Sequence, residues 1–192
     1  MVYAPEDEAL RPGVALERYV ALLRGVNVGG KQLSMQSLRA LLESLGYQHV
    51  TTYIQSGNAV FTGGDSGPPK PGRVEERIAA ELQMNIRVII RSQVELADVV
   101  DRNPFPATGE DSRTLHVTFL ADEPSAEAVH GLAGESYAPD QFAIVGREVY
   151  LRCPEGYGRS KLGNAFWERR LGVAATTRNW NTVNTLLRMA SA

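Results

Sequence analysis

The chain is 192 residues long, 43% hydrophobic and 22% charged, with 20 Lys and Arg against 22 Asp and Glu. These values exclude collagen-like, coiled-coil and wholly disordered chains, and the length supports one domain, or two small ones sharing a core, without disulfide or metal staples. The formal charge of −2 argues against wholesale coating of nucleic acid, but the charge is uneven: from Gly146 onward eight basic residues stand against three acidic ones. A single cysteine, Cys153, cannot form an internal disulfide. No apolar run approaches the roughly 20 residues that cross a bilayer, and the start carries Glu6, Asp7 and Glu8 rather than a basic and apolar leader. A cytoplasmic location without a membrane partner is therefore expected.

Residues 1–17, with Pro5, Pro12 and Gly13 and no apolar period, read as a loose arm. A buried strand is expected over 18–24. A helix follows from Ser34 on Met35, Leu38, Leu41, Leu42 and Leu45, with Ser34 as N-cap and Gly46 as its stop. Two β-rich runs, 50–55 and 58–62, flank Ser56-Gly57 as a hairpin. After a Pro/Gly-rich connector, 63–72, Val74, Ile78 and Leu82 predict a helix over 73–84, and a strand is expected over 87–91. Ser92 and Glu95 form a capping box for a helix through Val100, which Asn103-Pro104-Phe105-Pro106 ends.

The second half gives a strand at 114–120, a helix at 124–132 and a hairpin of 141–145 with 148–152 around Gly146-Arg147. A helix over 161–171 is stopped by Gly172, and a short strand at 174–177 leads to a helix over 179–190. The order βαββαβ thus occurs twice, at 18–102 (with a bridging helix) and at 103–192 (with an added C-terminal helix). The expected architecture is α+β, a duplicated split-βαβ, ferredoxin-like pair of antiparallel sheets, inferred from element order because no repeat is visible residue by residue.

In a βαββαβ unit the first strand ends at the edge where the central hairpin turns. In the first half this brings Arg24-Gly25-Val26-Asn27-Val28-Gly29-Gly30-Lys31 beside Gln55-Ser56-Gly57-Asn58. Cations, amides and glycine backbone N–H groups ahead of a helix suit an anion. Gly25 to Lys31 matches the G-x-x-x-x-G-K core of a phosphate loop, but Gln32 stands where Ser or Thr must ligate Mg²⁺, so an NTPase is not expected. In the second half, Gly158, Arg159, Ser160 and Lys161 are expected near Arg178, Asn179 and Asn181, at two helix starts where basic charge opposes the dipole unless an anion or an acid such as Glu155 offsets it. Trp180 falls on the apolar stripe of its own helix and reads as core. His49, His116 and His130 are scattered, and no metal or cofactor is expected. Cys153 reads as structural, and no nucleophile elbow or acid pair is visible.

At these same residues the chain resembles the bacterial domain-of-unknown-function family 1697. The resemblance rests on Leu22 to Gly30, Tyr53 to Asn58, Asn103-Pro104-Phe105, His116 to Leu120, Gly158 to Leu162 and Thr176 to Val183. It implies a duplicated ferredoxin-like fold with a helical C-terminal portion, and no activity, cofactor or catalytic residue comes with it. The function expected from the residues is binding of a phosphate-bearing partner, a small molecule, a nucleotide or a nucleic-acid backbone. Arg24, Lys31, Arg159, Lys161 and Arg178 would supply charge, Asn27, Gln55, Asn58, Asn179 and Asn181 selectivity, and Gly29, Gly30, Ser56, Gly158 and Ser160 close approach. The alternatives are a small-molecule enzyme acting on a phosphate or carboxylate, and an interaction scaffold using exposed sheet edges.

Overall fold

The computed structural model describes residues 17–26, 33–64, 67–105 and 112–192. Strand β1 (Arg18–Leu23) leads to α1 (Met35–Ser44), where Ser34 caps the helix by accepting the Ser37 N–H at 2.9 Å and Leu38, Leu41 and Leu42 form the buried stripe. Strands β2 (Gln48–Tyr53) and β3 (Asn58–Thr62) form the hairpin, and α2 (Pro71–Leu82) begins on a proline, whose missing N–H costs nothing in the first turn. Strand β4 (Val88–Ser92) runs straight into α3 (Gln93–Asp101). Here both arms of the expected capping box form, Glu95 N–H to Ser92 Oγ and Ser92 N–H to Glu95 Oε2.

The second half follows the same plan: β5 (Leu115–Leu120), α4 (Ala126–His130), β6 (Gln141–Val145), β7 (Glu148–Arg152), α5 (Asn164–Leu171), β8 (Ala175–Asn179) and α6 (Trp180–Ser191). Each half is therefore βαββαβα, and the helices expected as a bridge and as an addition, α3 and α6, are counterparts. The sheets have the orders β2-β3-β1-β4 and β6-β7-β5-β8, antiparallel throughout. This is the duplicated ferredoxin-like architecture. The registers also correspond: Val20 faces Arg91 as Val117 faces Arg178, and Leu22 faces Asn58 as Phe119 faces Glu148.

Alternation along the strands sends side chains to two faces. On one face of the first sheet Ala21, Leu23 and Phe61 pack under α1 and α2; on one face of the second Val149, Leu151 and Leu120 pack under α4 and α5. The remaining faces look inward. Val20, Leu22, Val60 and Ile89 share a middle core with Leu115, Val117, Phe119 and the apolar stripes of α3 and α6, in which Trp180 is buried. Helix α6 touches strands of both sheets. Cys153 is buried, and burial pushes its thiol up to about 11, which fits a structural role.

Some boundaries differ from expectation. The first hairpin turns over four residues, 54–57, rather than on Ser56-Gly57 alone: Tyr53 faces Asn58, and Ile54 takes φ 48. Strand β2 starts earlier because Gln48 pairs with Thr62 beyond an irregularity that has His49 at φ 51. Helix α5 begins at 164, not 161, because Ser160 Oγ accepts the Leu162 N–H at 3.0 Å and Gly163 stays extended. Helix α4 is confined to five residues.

Candidate functional site

The two central-face arginines do corresponding things in opposite directions. Arg91, the fourth residue of β4, reaches into the second half: Nε donates to Glu148 Oε1 at 3.0 Å, and Nη2 donates to the carbonyl oxygens of Leu120 at 2.7 Å and Arg147 at 3.4 Å. Arg178, the fourth residue of β8, reaches into the first half: Nε donates to Asn58 Oδ1 at 2.5 Å, and Nη2 donates to the carbonyl oxygens of Leu23 at 2.8 Å, Ser56 at 3.1 Å and Gly57 at 3.3 Å. Each guanidinium thus ties down the end of a first strand and the hairpin turn of the opposite sheet. Asn58 and Glu148 hold the same register position, so where one arginine has a carboxylate the other has an amide.

Arg91 and Glu148 have side chains 1% and 4% exposed, and Arg102 Nη2 adds a second cation 3.8 Å from Glu148 Oε2. Arg178 is 7% exposed, and its partners among the described residues are all neutral oxygens; Nη1 completes the set with Thr176 Oγ1 and the Thr177 carbonyl, both at 2.8 Å. Desolvation pushes its guanidinium down to about 10, with only the Tyr157 hydroxyl group pulling the other way, so it stays charged at neutral pH.

Around Arg178 the sequence-expected groups assemble partly, and in a different partnership. The segment leaving β1 does meet the hairpin: Leu23 N–H donates to the Gly57 carbonyl at 2.8 Å. Gly57 has φ 74, and a Cβ there would collide with Val26 Cγ2 and lie 2.8 Å from Leu23 Cβ, so this approach requires glycine. Asn27, Gly29, Gly30 and Lys31 lie outside the described residues. Gln55 and Ser56 are exposed on the turn, while Asn58 is buried, its Nδ2 donating to the Tyr53 carbonyl and Ser56 Oγ.

Arg24 is not a free cation. Its Nε and Nη2 hold both oxygens of Glu168 on α5, at 2.7 and 2.8 Å, and Glu168 Oε1 also accepts the Ala175 N–H. Those bonds, Arg24's first, hold Glu168 below its ordinary value of 4.5. A carboxyl with a lowered folded pKa adds stability that is complete above the unfolded value and lost as pH falls through the folded one. Arg24→Gln is thus expected to cost about 1 kcal/mol at neutral pH in urea denaturation, and the gap to the parent should close as pH falls below 4.5 and through the lowered folded value.

Arg178 is followed by Asn179, whose Oδ1 caps α6 by accepting the Thr182 N–H at 2.8 Å, so that oxygen serves the helix. Asn181 is exposed in the first turn. The loop containing Gly158 reaches this region through Tyr157, whose hydroxyl donates to Thr177 Oγ1 at 2.9 Å; Thr177 Oγ1 donates to Asn164 Oδ1 at 2.7 Å, and His116 stacks on the Tyr157 ring at 4.7 Å. Arg159 and Lys161, by contrast, line a separate pocket of about 390 Å³ with Ser160, Tyr137, Asp140 and Glu155. Sequence reasoning did not find Arg91, Glu148, Glu168 or Tyr157. The signal for the first was an arginine directly before an N-cap at the end of a strand, which occurs twice, as Arg91-Ser92 and Arg178-Asn179.

Among the described residues no group of three His, Cys, Asp or Glu could hold a metal ion, and no helix is long and apolar enough to cross a membrane. A fold of two facing ferredoxin-like sheets, each arginine-locked to the other, defines the class. The family model for a protein of unknown function (DUF1697) matches residues 16–150, well over half of the chain, and the chain belongs to that bacterial family. The structure of the conserved bacterial protein SP0830 from Streptococcus pneumoniae superposes with a TM-score of 0.71 at 22% identity, over 91% of this chain and 98% of that one, a likeness of fold. No curated protein matches the chain.

Proposed function

We propose that the chain binds a phosphate-bearing ligand at the mouth of the Arg178 crevice. The observation that carries this is a buried guanidinium with no carboxylate partner among the described residues, set against its counterpart Arg91, which has one. An unbalanced cation in a low-dielectric interior is costly and projects its field outward, so an anion at the mouth offsets the charge with little screening. The described groups nearest it are the exposed Gln55 and Ser56 and the start of α6 with Asn179 and Asn181, and the proposal adds Asn27, Gly29, Gly30 and Lys31, which follow Arg24 in the sequence. Arg159, Ser160, Lys161 and Gly158 belong to the neighbouring loop and would act on a ligand large enough to extend towards it.

Calorimetric titration with inorganic phosphate, pyrophosphate, nucleotides and short oligonucleotides tests this. Asn58→Asp gives Arg178 the carboxylate that Arg91 already has, and affinity is expected to fall at least about tenfold in that variant. Binding that is unchanged in Asn58→Asp, or absent for every phosphate compound in the series, overturns the proposal. If the partner is a nucleic-acid backbone, binding weakens steeply with salt, whereas a small ligand shows a shallow dependence.

A further inference from the structure

Among the described residues strand β6 is an edge of the second sheet, paired with β7 on one side only. Its five residues, Gln141-Phe142-Ala143-Ile144-Val145, include no charge and no proline, and its register with β7 is unbroken. Native edges are usually blunted by a bulge, a lysine or a proline. The corresponding edge, β2, is blunted by the irregularity at His49. The covering helix differs too: α4 has 5 residues where α1 has 10. The shortfall leaves a groove of about 530 Å³ beside β6, with Val129, Leu132, Phe142 and Ile144 among its walls.

We infer that this edge joins a second copy of the chain, β6 against β6, antiparallel about a two-fold axis through Ala143. The Gly146-Arg147 turn closes the β6–β7 hairpin with Val145 facing Glu148. In such a two-residue hairpin the closing pair is hydrogen-bonded, so Val145, Ala143 and Gln141 direct their backbone groups to β7 while Phe142 and Ile144 direct theirs outward. With the axis at Ala143, Phe142 of one copy faces Ile144 of the other. Every outward N–H and C=O of the strand finds a partner, and the same two side chains meet over the groove.

The flanking charges also suit a second copy. Asp140 precedes β6 and Arg147 follows it, with Arg147 still 37% exposed beside Glu95. Antiparallel pairing sets the Asp140 end of each copy near the Arg147 end of the other, and opposite charges across a strand pair are favourable.

Sedimentation of the full chain over a graded concentration series tests the inference, with Ala143→Cys, Val145→Cys and Ala143→Glu alongside. In this register Ala143 faces itself as a non-hydrogen-bonded pair with Cα atoms about 4.5 Å apart, within disulfide reach. The parent is expected at twice the 21.0 kDa of one chain, Ala143→Cys is expected to become a covalent dimer on mild oxidation, and Ala143→Glu, which opposes like charges across the axis, is expected to return to 21.0 kDa. Val145→Cys, facing Gln141, should not cross-link; the native Cys153 is buried and does not compete. A parent that stays at 21.0 kDa throughout, or a dimer in which Ala143→Cys fails to cross-link, overturns the inference.

Discussion

Arg178→Met is expected to lower the free energy of unfolding by about 3 kcal/mol, read from urea denaturation with an unchanged slope. Methionine replaces much of the apolar volume but none of the donors. The carbonyl oxygens of Ser56 and Gly57, and Asn58 Oδ1, then lose their link to the second half, and Leu23 keeps only the longer bond from Thr176 Oγ1 at 3.3 Å. The variant also recovers the desolvation cost that pushes this guanidinium down to about 10. That recovery does not decide the sign, because each bond lost has a charged donor and is worth roughly 1.5–3 kcal/mol, and Asn58 Oδ1 is left buried without its guanidinium. Arg178→Lys should recover only part of the loss, since a point-like ammonium cannot span acceptors on a strand end, a turn and its own strand. Parent-like stability in Arg178→Met would show that these bonds are incidental to the packing of the halves.

Glu148→Ala is expected to be at least as damaging, by about 3–5 kcal/mol, because it strands Arg91 at a position where its side chain is 1% exposed. Burial already pushes the Arg91 guanidinium down, and Glu148 is the chief group pulling it back up. The informative companion is Glu148→Gln. It reproduces at Arg91 the amide partnership that Arg178 has with Asn58, which the fold supports, so it should cost only about 1–2 kcal/mol. Equal losses for the Ala and Gln variants would mean that the two crevices are not physically comparable, and the contrast between them would lose its meaning.

Local features were legible in the sequence because their causes are local. The capping box of Ser92 and Glu95, the N-cap of Ser34, the two-residue turn at Gly146-Arg147 and the left-handed stop at Gly172 each follow from residues a few positions apart. The element order then gave the topology of both sheets. The candidate site was only half legible. Topology within one half brings the segment after Leu23 to the Gly57 turn, but from spacing Arg178 reads as serving its own half and Arg24 as free, because pairings across 120 or 144 residues leave no trace there. Asn179 illustrates a competing local demand: placed directly before a helix, its side-chain oxygen caps the backbone. The correspondence of Arg91 with Arg178, and of Glu148 with Asn58, lives in strand register, which no pattern of side-chain types reveals.

A chain of half this length could make both reciprocal guanidinium contacts only by associating with its twin, and a change at the Asn58/Glu148 position would then alter both crevices together. Joining the two copies end to end removes that coupling. One position can then hold an acid as a rivet while its counterpart holds an amide, and only at the second does the proposed ligand have a charge to balance.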